Sequence, residues 1–97
     1  MLHLIFQSVV EHAVLQRIAS ADDVVFMENA VFRVYKGNIL AGELLKMLNN
    51  NIHLYVMNEE IETRGINQNE LIPGVKVIDY SGLVELTQKN KVTMSWN

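Results

Sequence analysis

The chain of 97 residues contains no cysteine. That absence excludes disulfides, thiolate metal sites and cysteine nucleophiles on this chain. Basic residues are also sparse: Lys and Arg number eight, scattered, and the formal net charge is −3. No basic patch tracks a phosphate backbone, so direct nucleic-acid binding is disfavoured. No apolar run approaches the ~20 residues of a membrane-spanning helix. The opening run Leu2–Phe6 is too short for a signal-peptide core and has no basic segment before it. The expectation is a cytoplasmic protein without membrane contact. No G-x-G-x-x-G or G-x-x-x-x-G-K-[ST] loop follows any apolar run, which argues against a nucleotide site. No cofactor is expected.

What is present reads as one folded domain over residues 1–97, with a hydrophobic share of 49%. A chain this small buries only a modest core. The surplus apolar surface hints at coverage by a partner or by self-association. Five apolar, β-prone runs recur: Leu2–Phe6, Val24–Met27, Ile52–Met57, Val75–Ile78 and Val92–Trp96. Helical segments separate them. The alternation predicts a three-layer α/β/α domain around a mostly parallel five-stranded sheet. The first, second and fourth runs are nearly continuous apolar stretches, as expected of strands covered on both faces.

The helices carry their own punctuation. Ser8-Val9-Val10-Glu11 has the capping-box pattern, and Val10, Val14 and Ile18 share a face. Asn29 is a plausible N-cap for a segment reaching Tyr35, with Gly37 able to end it. Ala41, Leu44, Leu45 and Leu48 form a stripe on a third helix, broken by Asn49-Asn50-Asn51. Asn58 can cap the next helix, with Glu59 and Glu60 in its first turn and Arg64 then Gly65 at its end. Asn67–Gly74 is the longest loop, and Pro73-Gly74 leads into the fourth strand. The last helix follows Asp79 and carries Leu83, Val84 and Leu86.

Parallel strands would bring three strand ends together at the carboxyl edge: Glu28-Asn29, Asn58-Glu59-Glu60 and Asp79-Tyr80-Ser81. Ligands and partners of open α/β sheets gather at such edges. One reading is an acidic, amide-rich site. The other is that Asn29, Asn58 and Asp79 are N-caps with acids placed to suit helix dipoles, and the residue types already follow from that. Asp22-Asp23 precede the second strand and would sit at the opposite edge. His3, His12 and His53 lack metal-ligand spacing, although a fold-assembled His3/His53 pair is conceivable. Ser8 and Ser81 would need a nearby His to serve as nucleophiles. Trp96 either covers the core or anchors a subunit interface.

Several blocks together resemble the TusB/DsrH family. They are Met1-Leu2-His3-Leu4 with Gln7-Ser8, then Leu54–Gly65, then Ile78-Asp79-Tyr80-Ser81-Gly82-Leu83-Val84-Glu85-Leu86, and the ending Met94-Ser95-Trp96. The similarity spans essentially the whole chain. It implies a DsrE/DsrF/DsrH-like fold and a place in a sulfur relay. In the Tus branch of that family, the resemblance implies assembly with TusC/DsrF-like and TusD/DsrE-like subunits. Such a complex hands persulfide sulfur towards 2-thiolation of the tRNA wobble uridine. In the Dsr branch the related complex serves sulfur oxidation. The chain departs from the family pattern at Val9, where Pro is common, and at Glu28-Asn29-Ala30, where an acid is usually followed by Asp-Gly. It also lacks the cysteine that some members carry in the first helix. Holding a persulfide requires a thiolate, so this chain is expected to be an accessory, non-catalytic subunit. Asn58, Glu59, Asp79, Tyr80 and Trp96 are its candidate interface or docking residues. A self-associating protein with a small-molecule or regulatory binding role on the same fold is the runner-up. An enzyme using Glu28, Glu59 and Asp79 for acid–base work is the third reading.

Overall fold

The computed structural model describes residues 1–6, 12–37 and 41–96. Five strands form one sheet: β1 (Leu2–Ile5), β2 (Asp23–Phe26), β3 (His53–Met57), β4 (Lys76–Ile78) and β5 (Thr93–Trp96). Their order is β4-β3-β2-β1-β5. Every pairing is parallel, with Leu4 opposite Val25, Val25 opposite Tyr55, Val56 opposite Val77, and Ile5 opposite Trp96. The expected strands are all present, displaced by no more than a residue at most ends. Parallel neighbours require crossover connections, and the described helices supply them: α1 (His12–Gln16), α2 (Ala41–Asn49), α3 (Asn58–Thr63) and α4 (Tyr80–Lys89).

The strand order dictates how the layers are filled. From β1 to β4 the chain moves steadily in one direction across the sheet, then jumps back to the far edge for β5. Right-handed crossovers place connections made in one direction on one face and the reverse connection on the other. Val14, Leu15 and Ile18 therefore join Ala30, Val31, Val34, Leu44, Met47 and Ile61 over the inward side chains of Ile5, Val24, Phe26, Leu54 and Val56. The opposite face carries Leu2, Val25 and Met57, and its helix is α4, through Leu86 and the half-buried Leu83. Among the described residues one layer is thick, and the other rests on α4.

Several local expectations need correction. The segment after β2 is a 3₁₀ helix over Glu28–Val34, and Asn29 is not its cap: Met27 occupies that position and contributes no side-chain bond. Asn58 likewise lies inside α3, behind Met57. Leu45 is exposed, and Met47 takes its place on the buried stripe of α2 with Leu44. The run at β4 is covered only in part: Val77 packs against one layer and Ile78 against the other, both half-buried, while Lys76 on this edge strand is exposed. The loop over 67–74 contains a 3₁₀ turn at Gln68–Glu70 and a bridge from Leu71 to Tyr35. The Ser8 cap and Val10 lie outside the described residues. Two helix stops follow the expected chemistry. Asn51 (φ 63°) and Gly65 (φ 67°) adopt the left-handed conformation. The amides that follow return to the last turn, Ile52 N to Met47 O and Ile66 N to Ile61 O. Among the described residues, no helix is long and apolar enough to cross a membrane.

Candidate functional site at the carboxyl edge

Because β2, β3 and β4 are parallel neighbours, the residues after Phe26, Met57 and Ile78 emerge side by side. The three predicted strand ends are thus brought together. One arginine links two of these ends. Arg64 Nη1 donates to Glu60 Oε2 at 2.7 Å, and its Nε donates to Asn29 Oδ1 at 3.1 Å. Arg64 therefore ties the end of α3 to the segment after β2 and neutralises Glu60. The Asn58 amide donates to Glu62 Oε1 at 3.3 Å, one helical turn on. Asn29 and Asn58 thus have side-chain partners and roles other than capping. Glu28, Glu59, Asp79 and Tyr80 face solvent, Tyr80 being 69% exposed.

Asp79 does cap a helix: its Oδ1 accepts from the backbone N of Gly82 at 2.8 Å. Asp79→Ala is expected to cost about 1 kcal/mol, read as a lower urea midpoint. Gly82 is held by proximity rather than by its backbone angle. A Cβ there would lie 3.0 Å from Ile78 Cβ, so α4 would have to move off β4. Overpacking of that kind outweighs the gain in helix propensity, and Gly82→Ala is expected to lose roughly 1 kcal/mol net. The same titration checks it. Between these elements an open groove of about 700 Å³ runs beside β4, lined by Asn58, Gln68, Lys76, Ile78, Asp79 and Gly82. Its walls mix amides, one cation and one carboxylate, which suits polar docking. No group of three or more His, Asp or Glu is placed to hold a metal among the described residues.

Trp96 lies across the sheet from the other candidates, on the opposite edge strand. Its indole N–H donates to His3 Nδ1 at 3.1 Å, the two rings stack at 6.4 Å, and the Arg17 guanidinium sits 5.9 Å from the indole centroid. His3 in turn bonds Asp22 Oδ2 through Nε2 at 2.9 Å, with the ring 1% exposed. Asp22 also accepts from Ala19 N at 2.9 Å and from the Met1 ammonium at 3.1 Å. Burial pushes this carboxyl up, but the Ala19 amide, His3 and the ammonium together hold it below the usual aspartate value. His53 belongs to the other face, since Leu54 points into the thick layer, so His3 and His53 do not form a pair.

A second buried acid was not singled out from sequence as a partnered residue. Asp23 is fully buried and receives Asn90 Nδ2 at 3.0 Å, Lys89 Nζ at 3.3 Å and the Tyr55 hydroxyl at 3.5 Å. Burial raises the Tyr55 phenol above its ordinary value, and the Asp23 charge and hydrogen bond add to it. The available signal was two adjacent acids opening a buried strand, where period-2 alternation sends one to each face.

The fold is shared with solved structures of very different sequence. The ychN protein from E. coli superposes with a TM-score of 0.79 at 14% identity, covering 98% of this chain and 97% of that one. The protein MTH1491 from Methanobacterium thermoautotrophicum gives 0.78 at 10% identity, covering 98% and 96%. The class is thus an α/β domain built on a five-stranded parallel sheet. Within that class, the family model for DsrH-like proteins matches residues 6–93, and the chain belongs to that family. Among its relatives, Protein TusB of Buchnera aphidicola subsp. Baizongia pistaciae is 33% identical over 99% of this chain and all of that protein. Protein TusB of Serratia proteamaculans is 32% identical over 87% of this chain and 84% of that one.

Proposed function

We propose that this chain is a non-catalytic subunit of a TusBCD-like sulfurtransferase complex, acting in the sulfur relay that 2-thiolates the tRNA wobble uridine. The observation that carries the reading is full-length similarity to proteins named TusB in a chain without cysteine. A relay carrier needs a thiolate to attack and hold a persulfide, and no side chain here supplies one. The sulfur therefore travels on partners, which are TusC/DsrF-like and TusD/DsrE-like subunits in the cytoplasm. Asn58, Glu59, Asp79 and Tyr80 are the docking surface, solvent-facing or half-buried along one edge. Tyr80 is its aromatic anchor, a residue type enriched at interface hot spots. Docking is preferred to direct assistance because a carboxylate beside a partner's thiol would raise that thiol's pKa instead of activating it.

Co-expression with the TusC- and TusD-like chains of the same genome tests the reading. Native mass spectrometry is expected to show all three chains in one assembly. After loading by a cysteine desulfurase system, labelled sulfur is expected on a partner and none on this chain. Loss of this chain in cells is expected to lower 2-thiouridine in digested tRNA. Failure to co-assemble, or unchanged 2-thiouridine, would overturn the reading.

A further inference from the structure

The two edges of the sheet are built differently. β4 has three residues and carries an exposed lysine, Lys76. Short length and lysine are among the devices by which edge strands avoid pairing with other chains. β5 has neither. Thr93-Met94-Ser95-Trp96 is uncharged, contains no proline and is exposed over Thr93, Met94 and Ser95. Its flank is apolar as well: Val92 is 51% exposed, Met94 40%, and Met1, beside Val92 in the register, 45%.

The hydrogen-bond phase of β5 is fixed by β1. Leu2 N donates to Val92 O and Phe6 N donates to Trp96 O. The even-numbered residues of β5 therefore turn their backbone groups towards β1, and Thr93 and Ser95 turn theirs outward. We propose that β5 is a homotypic docking edge, on which a second copy of this chain pairs antiparallel about Met94 and joins the two sheets. The occupant follows from self-complementarity. A two-fold axis at Met94 sets Thr93 against Ser95 of the partner, and these are the residues with outward N–H and C=O groups. Both Thr93–Ser95 pairs are then hydrogen-bonded pairs, and Met94 meets its own copy in a close, non-hydrogen-bonded pair. On that same face Val92 lies opposite the partner's Trp96, whose other side is already occupied by His3 and Arg17. On the other face, threonine meets serine, a favourable cross-strand pair. No like charges are opposed within the register. This pairing is independent of the sulfur-relay reading, because it concerns the isolated chain.

The absence of cysteine makes the register directly testable. Across a non-hydrogen-bonded pair the Cα atoms lie about 4.5 Å apart, within the range a disulfide spans. Met94→Cys is expected to give a covalent dimer on mild oxidation. Thr93→Cys is expected to give none, because its own copy lies two residues out of register, more than ~7 Å away. Sedimentation of the unmodified chain across the micromolar range is expected to show a monomer–dimer equilibrium. Met94→Lys and Ser95→Pro are expected to shift it to monomer. The proline removes only an outward N–H and leaves the bonds to β1 in place, and circular dichroism checks that both variants fold. A monomer at all concentrations, a dimer insensitive to both folded variants, or equal cross-linking of the two cysteine variants would overturn the proposal. None of these outcomes bears on assembly with TusC- and TusD-like chains.

Discussion

Replacing Asp22 by alanine is expected to cost about 3 kcal/mol of stability, because one carboxylate serves three donors around a buried ring. Trp96 Nε1–H points at His3 Nδ1, so that nitrogen accepts, and Nε2 carries the proton donated to Asp22. The neutral ring thus satisfies both of its nitrogens at 1% exposure. Without Asp22, the Nε2–H is left unpaired in the interior, and the Ala19 amide and Met1 ammonium lose their acceptor. For a domain of 97 residues, about 3 kcal/mol corresponds to a fall in Tm of roughly 12–24 °C. Asp22→Asn is expected to fall between, since its oxygen can still accept but its amide nitrogen meets donors. Urea denaturation orders the three proteins. The same carboxylate predicts acid sensitivity. Its folded pKa lies below its unfolded value, so the unfolded chain binds more protons in the intervening window. The contribution is complete above the unfolded value and is lost as pH falls through the folded one. Asp22→Ala is expected to flatten that part of the stability–pH curve.

The sheet was legible because its signal is local. Each strand is a short apolar run between turn residues, and the alternation of runs with helical stripes restricts the architecture to a parallel sheet. The stop signals at Asn51 and Gly65 were legible for the same reason, as positions where the backbone must turn left-handed. Asp79 was legible as a cap because the cap and the amide that donates to it lie three residues apart. The two cap misreadings have separate causes: Asn58 lies one residue inside α3, with Met57 at the cap position, and its bond to Glu62 is local. Asn29 and Asn58 have residue types that suit caps, but Asn29 is held by Arg64, 35 positions away in sequence. No local pattern announces that contact. The edge position of β4 was hidden too, since a run of apolar residues does not show which strand ends the sheet. Asp22 and Asp23 were read for their position relative to β2 and placed at the amino edge, as observed. Their partners come from His3, Tyr55, Lys89 and Asn90, and only the closed sheet brings those together.

Asp23 yields the second large effect, and the sign depends on which partner is removed. Lys89→Ala with Asn90→Ala would strip a fully buried carboxylate of its two nearest donors, leaving the Tyr55 hydroxyl at 3.5 Å. Removing the partners of a buried charge is more damaging than removing the charge, and the double variant is expected to lose about 3 kcal/mol. That figure sits at the lower end of the range for broken buried pairs because Lys89 is 61% exposed and its attraction is screened by water. Adding Asp23→Val to that background is expected to recover most of the loss, because valine suits a buried strand and needs no donor. The physical consequence reaches beyond stability. Lys89 and Asn90 close the end of α4, and α4 is the helix over the thin layer of the sheet. Its other end is Asp79-Tyr80, on the proposed docking edge. The double variant is therefore expected to raise amide exchange along all of α4, including Leu83 and Val84 near the Asp79 cap. If exchange rises only around Lys89, Asp23 anchors one helix end and does not position the docking edge.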